Sequence, residues 1–191
     1  MNKWLIAAAF LFLLSCKSKK EEDANAAFFP VASYIKSQVA QVDTTLNRIM
    51  KIITVNGASD TAYISRAEFR KEAKDFLSLP DISSKKLRDD YTETQLYDED
   101  LERVILNYTP KNQDTEIRRQ EVMIKPDNLR GDKVESIFID QLLEFNDSAV
   151  QKRLTWNVDH NFQVVTIVQK GNTPDKIHTL RLVWNENSSN E

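Results

Sequence analysis

Cys16 is the only cysteine in the chain, and His160 and His178 are its only histidines. Nucleophilic, acid–base or metal chemistry would be sought first at these three side chains. A lone thiol forms no intrachain disulfide. Its thiolate is still a good nucleophile near neutral pH, which makes Cys16 a site for covalent modification. A zinc site would need two more ligands beside the histidines, drawn from 29 scattered carboxylates, so no metal and no cofactor is expected. The acidic stretch Asp89, Asp90, Glu93, Asp98, Glu99, Asp100 and Glu102 has oxygen ligands enough for calcium. Its spacing fits no EF-hand loop, however, and no glycine supplies the sharp turn, so it reads as a solvated helix end and loop. The three glycines, Gly57, Gly131 and Gly171, stand in turn-like contexts, which leaves no phosphate-cradling loop and no dinucleotide fingerprint. G-x-S-x-G is absent as well, and no catalytic residue is assigned. A net charge of −3 without a basic stripe argues against nucleic acid as a partner.

The chemistry open to Cys16 depends on what precedes it. Lys3 is followed by an unbroken apolar run from Trp4 to Leu14. A membrane-spanning helix needs about 20 such residues, so this shorter run, with its basic flank and the small Ser15 at its exit, reads as an export signal. Leu13-Leu14-Ser15-Cys16 resembles the lipobox of bacterial lipoproteins. The resemblance implies a diacylglycerol thioether on Cys16, cleavage after Ser15, and a membrane partner reached through lipid. Each buried methylene adds about 0.8 kcal/mol, so two or three acyl chains anchor firmly. Residues 17–27 are polar and charged without apolar periodicity and read as a disordered tether. Fully extended, they reach about 35 Å. Lys20-Glu21-Glu22 resembles the Lys-acid-acid export signal of Bacteroidota surface lipoproteins, and Lys17 stands where an Asp retains enterobacterial lipoproteins at the inner membrane. Both features imply the outer membrane of the cell envelope, with the leaflet left open.

The remainder, 28–191, suits one domain with a real core. Pro30 can open a helix over 31–43, with Val31, Ile35, Val39 and Val42 at helical spacing. Residues 46–55 and 61–64 read as two strands joined by a loop from Asn56 to Asp60. Ser65-x-x-Glu68 is a capping box for a helix over 65–78, which Pro80 ends. A short helix is expected over 82–91. From Arg103 onward six strands are read, at 104–108, 117–124, 134–145, 150–158, 162–169 and 176–184, separated by turn residues. Early helices and later strands predict an α+β fold, with helices packed on one face of a curved antiparallel sheet of about six to eight strands. A lipocalin-like half-barrel is the alternative.

In the fourth of these strands Val150, Leu154, Trp156 and Val158 alternate with Gln151, Arg153, Thr155 and Asn157. The second set reads as the face that meets a partner, and the chain as a non-enzymatic binding or scaffolding module. Trp156, Trp184, Phe138, Phe145, Phe162 and Tyr108 form an aromatic set that reads as core; were it to line a cavity, the chain would carry a small apolar ligand or lipid. A hydrolase would need a cleft gathering His160 or His178 with carboxylates. Asp43-Thr44-Thr45, Asp60-Thr61-Ala62 and Asp147-Ser148-Ala149 resemble the O-glycosylation sequon of exported Bacteroidota proteins, with Thr44, Thr61 and Ser148 as acceptors.

Overall fold

A computed structural model describes residues 27–171 and 173–185. Cys16, the lipobox-like residues before it and the segment 17–26 lie outside the described residues, and so do the expected signal and most of the expected tether. The elements run in the order α1 (Val31–Thr44), β1 (Ile49–Val55), β2 (Ala58–Ile64), α2 (Arg66–Glu72), α3 (Lys74–Leu77), β3 (Tyr91–Asp98), β4 (Arg103–Pro110), β5 (Ile117–Lys125), β6 (Lys133–Glu144), β7 (Ser148–Asn157), β8 (Asn161–Lys170) and β9 (Lys176–Val183). All nine strands join one antiparallel sheet in the order β2-β1-β9-β8-β7-β6-β5-β4-β3. Strands β3 to β9 form a meander, and the β1–β2 hairpin is added beyond β9. The fold is α+β as expected, but the sheet is larger than six to eight strands. It is open, with β2 and β3 as its two edges, and does not close into a barrel.

The additional strand is β3. Its Thr and Tyr residues favour extended backbone, but as an edge it is exposed along nearly its whole length, so it carries no apolar alternation to reveal it. The acidic stretch read as a helix end and loop is therefore mostly this strand and the turn after it. The expected helix over 82–91 is also corrected. Asp81 accepts from the backbone N–H and the hydroxyl of Ser83, which closes a turn, and only a 3₁₀ turn at Arg88–Asp90 follows. The β1–β2 connection is tighter than expected. Val55 pairs with Ala58, so only Asn56 and Gly57 turn the chain, both at positive φ. That geometry belongs to a two-residue hairpin of matching twist, and Gly57 at φ 84° meets it without a Cβ penalty.

The capping box at Ser65 forms as read, with Glu68 N–H donating to Ser65 Oγ and Ser65 N–H to Glu68 Oε2. The helix it starts is interrupted at Ala73, where ψ is 0°, and resumes as α3. Phe69 and Phe76 from these two pieces, with Ile35 and Val39 from α1, enter the core. They meet two rows of side chains running across the sheet. One row is Leu182, Phe162, Trp156, Ile137 and Val122; the next is Leu180, Val164, Leu154, Ile139 and Gln120. Phe76 stands edge-on to Trp156 at 5.2 Å between centroids, and Trp156 stacks on Phe162 at 5.4 Å. Two ion pairs pin the helices to the sheet from the side, Lys51 with Glu72 (2.6 Å) and Lys152 with Asp75 (2.9 Å). The described helices α1, α2 and α3 thus cover one face.

Candidate functional site: the helix-free face of the sheet

Side chains alternate across a strand, so each core row has a counterpart on the other face. One counterpart row is Met50, Val183, Asn161, Asn157, Ser136 and Met123, taken from β1, β9, β8, β7, β6 and β5. Beside it run Ile52, Arg181, Gln163, Thr155, Phe138 and Glu121. Among the described residues no helix packs here. The face still carries Met50, Ile52, Met123, Phe138 and Val165, all half-buried. It is a mixed apolar and polar surface, where alternation in a single strand suggested only a polar one.

At the end of the sheet where β1 begins and β9 ends, this face forms an open groove of about 700 Å³. All six strands from β1 to β5 contribute, together with Val158, His160 and Asn185 from the connections. Local hydrogen bonds fix the groove's shape. The β7–β8 turn holds Asp159 at φ 65°, and the carbonyl of His160 in that turn accepts from Trp184 N–H (3.0 Å) and Asn185 N–H (3.2 Å), tying it to the end of β9. On the floor, Asn157 Nδ2 donates to Asn161 Oδ1 (2.9 Å). On the rim, Glu135 takes a two-pronged ion pair from Arg103, and Lys133 meets Asp159 at 3.2 Å. Arg181 is exposed in the groove and, among the described residues, has no ion-pair partner.

Of the four residues expected to meet a partner, only Asn157 lines the groove itself. Thr155 lies in the adjoining row. Arg153 is exposed, whereas Gln151 is half-buried and donates to Asp140 Oδ1 (2.9 Å). The aromatic set divides between the faces. Trp156, Trp184, Phe162 and Tyr108 are buried, all on the helix side or at its rim. Phe138 lies on the opposite face, with the Arg119 guanidinium 6.0 Å from its ring centre, and Phe145 is 59% exposed in the β6–β7 turn. The rings of Phe69, Phe76, Trp156, Phe162 and Trp184 make contacts of 5.2 to 6.5 Å between centroids and fill the space between helices and sheet that an apolar ligand would need.

His160 sits in the groove, but His178 lies six residues before Trp184 on β9 and its side chain points to the helix side, opposite Val55 and Thr166. At about 3.3 Å per residue the two imidazoles are roughly 20 Å apart along the strand and on different faces. Among the described residues no three His, Asp or Glu side chains converge to hold a metal ion. Of the glycan-acceptor candidates, Thr44 is exposed at the end of α1 and Thr61 is exposed in the middle of edge strand β2. Ser148 is half-buried as the first residue of β7.

Arg181, Asn161, Ser136 and the two methionines were not singled out from the sequence. Alternation places Arg181 opposite Leu180 and Leu182 in the last strand. That it shares a groove with Ser136 and Met123 follows only from cross-strand register, which no single-strand pattern reveals. Comparison with protein-family models, with characterised proteins and with solved structures finds no match for this chain.

Proposed function

We propose that this chain is an envelope lipoprotein, tethered through lipid on Cys16, whose domain is a binding module that engages its partner with the helix-free face of the sheet. The groove carries the reading. Half-buried Met50, Ile52 and Met123 stand at the two ends of a concave site on a face that no helix among the described residues covers, and a concave site that combines apolar side chains with a few polar groups suits ligand binding. The groove's volume falls within the range of sites that hold small molecules or short chain segments. The chain enters on the helix side, where the Phe28 ring lies 4.9 Å from that of Tyr108 and Phe29 N–H donates to the Tyr108 hydroxyl (3.0 Å). Residues 28 and 29 and the groove are therefore on opposite faces, so a tether that joins the domain at this point would not begin over the groove. A carrier of small apolar ligands would have to use this same groove, because aromatic rings occupy the interior.

Two measurements test the proposal. Cells fed labelled palmitate should label the wild-type protein, while Cys16→Ser should lose the label and leave the membrane fraction; label retained in Cys16→Ser sinks the anchor. A photo-crosslinking residue at Thr155 or Arg153 should give discrete adducts in intact cells. The same residue at Lys36, exposed on α1, should not. Equal adducts from both faces would remove the helix-free face from consideration.

A further inference from the structure

We infer that the groove binds an extended, acidic peptide segment of a partner protein, with a carboxylate of that segment paired to Arg181; this rests on the binding-face reading above. Charge bookkeeping in the groove selects the sign. Glu135 is already neutralised by Arg103, and Lys133 is already engaged by Asp159. Of the Lys, Arg, Asp and Glu side chains that line the groove, only Arg181 has no ion-pair partner among the described residues, although the chain as a whole is acidic. An incoming anion meets an uncompensated guanidinium with a fork of donors suited to a carboxylate, while an incoming cation finds both rim acids occupied.

Shape selects an extended occupant. The groove crosses six adjacent strands, which at about 4.8 Å apart span roughly 24 Å, the length of about seven extended residues at 3.3 Å each. Its floor alternates in character along that path. Met50 and Ile52 lie at one end and Met123 at the other, with Asn161, Asn157 and Ser136 between. Amide and hydroxyl groups in the middle match a ligand with polar backbone along its length. They would be left unsatisfied beneath a plain hydrocarbon chain, which costs free energy. The flexible thioethers at the ends adapt to varied apolar side chains. Among the described residues the groove lining contains no Phe, Tyr or Trp ring on which a sugar could stack.

The test presents a displayed library of random heptapeptides to the full-length protein purified from membranes in detergent. The bound pool should be enriched in Asp and Glu, and a fluorescent copy of the most enriched peptide should bind Arg181→Glu at least about fivefold more weakly, with the wild-type affinity falling as salt rises. Arg181→Gln should lose the acidic preference, and Arg181→Glu should select Lys and Arg in its place. Arg181 is exposed and unpaired, so both variants should unfold at the wild-type denaturant concentration. An Arg181→Glu pool of wild-type composition overturns the proposal, as does a wild-type pool without acidic enrichment. Displacement of the peptide by decanoate would make the occupant a lipid carboxylate. A dimer that Arg181→Glu dissolves would make it a second copy of this chain; either result removes the peptide assignment. Crosslinking from Thr155 without any acidic selection would leave the binding face standing and dismiss only this assignment.

Discussion

Trp156 is fully enclosed, yet its indole N–H has no hydrogen-bond acceptor among the described residues. A buried donor left unpaired costs about 1–3 kcal/mol, which offsets part of what the ring contributes by packing against Phe76 and Phe162. The two terms separate by substitution. Trp156→Phe removes the orphaned donor along with part of the ring and should cost less than about 1.5 kcal/mol, whereas Trp156→Ala should cost about 3–5 kcal/mol, both read from urea unfolding. Equal losses would mean that the indole N–H is satisfied. Tyr108 bears on pH. Burial, the largest cause, raises its phenol well above the usual tyrosine value, and the nearby Glu93 carboxylate adds to the rise. Burial raises Tyr91 and Tyr34 as well. In the folded state these phenols stay neutral where unfolded ones ionise, at about pH 10. Their contribution is complete below that pH and declines above it, towards the folded-state value. Unfolding midpoints should be flat from pH 8 to 9 and fall steeply beyond 10, and Tyr108→Phe should flatten part of that fall. A midpoint unchanged at pH 11 would contradict the assignment.

The elements show which signals a single sequence carries. Ser65 and Glu68 satisfy each other's backbone donors, and Ser65→Ala should cost about 1 kcal/mol in the same urea experiment. The Ser65 hydrogen bonds, foremost that from its backbone, hold the Glu68 carboxyl below the usual range. That contribution is therefore present at neutral pH and disappears as pH falls through the lowered value, so the Ser65→Ala penalty should shrink in acid. This box was legible because all its parts lie within four residues. The strands with one buried face were legible for a similar reason, since Leu154 and Trp156 announce their side by alternation. Strand β3 was not, because an edge exposed on both faces has no reason to alternate. The break at Ala73 was hidden too. Phe69, Ala73 and Phe76 keep helical spacing through it, so no local pattern marks the position, and rings from both pieces reach Trp156.

At the scale of the whole molecule, one aromatic-rich core on one face of the sheet holds a second face that no helix among the described residues covers, and the groove is a property of that arrangement rather than of any motif. No local pattern could reveal it, because its residues come from strands spread between Met50 and Asn185. The sheet's openness has a further consequence, seen at Asp60. Val55 and Ala58 close a two-residue turn, so in β2 the backbone groups of Thr61 point away from β1 towards the free edge. Asp60 Oδ1 accepts that outward Thr61 N–H at 2.9 Å, so the middle of the edge offers a neighbouring chain a carboxylate in place of a free donor. On a lipid-anchored protein, as proposed here, this would count for more than in solution. Anchoring confines neighbours to two dimensions and raises their local concentration, which favours strand-to-strand growth into ribbons. Asp60→Val should then leave monomers in dilute detergent but produce sodium dodecyl sulfate-resistant or crosslinkable multimers when the protein is packed densely in vesicles. In that setting Asp60 serves crowd control: it lets a two-edged sheet live at high surface density as separate molecules.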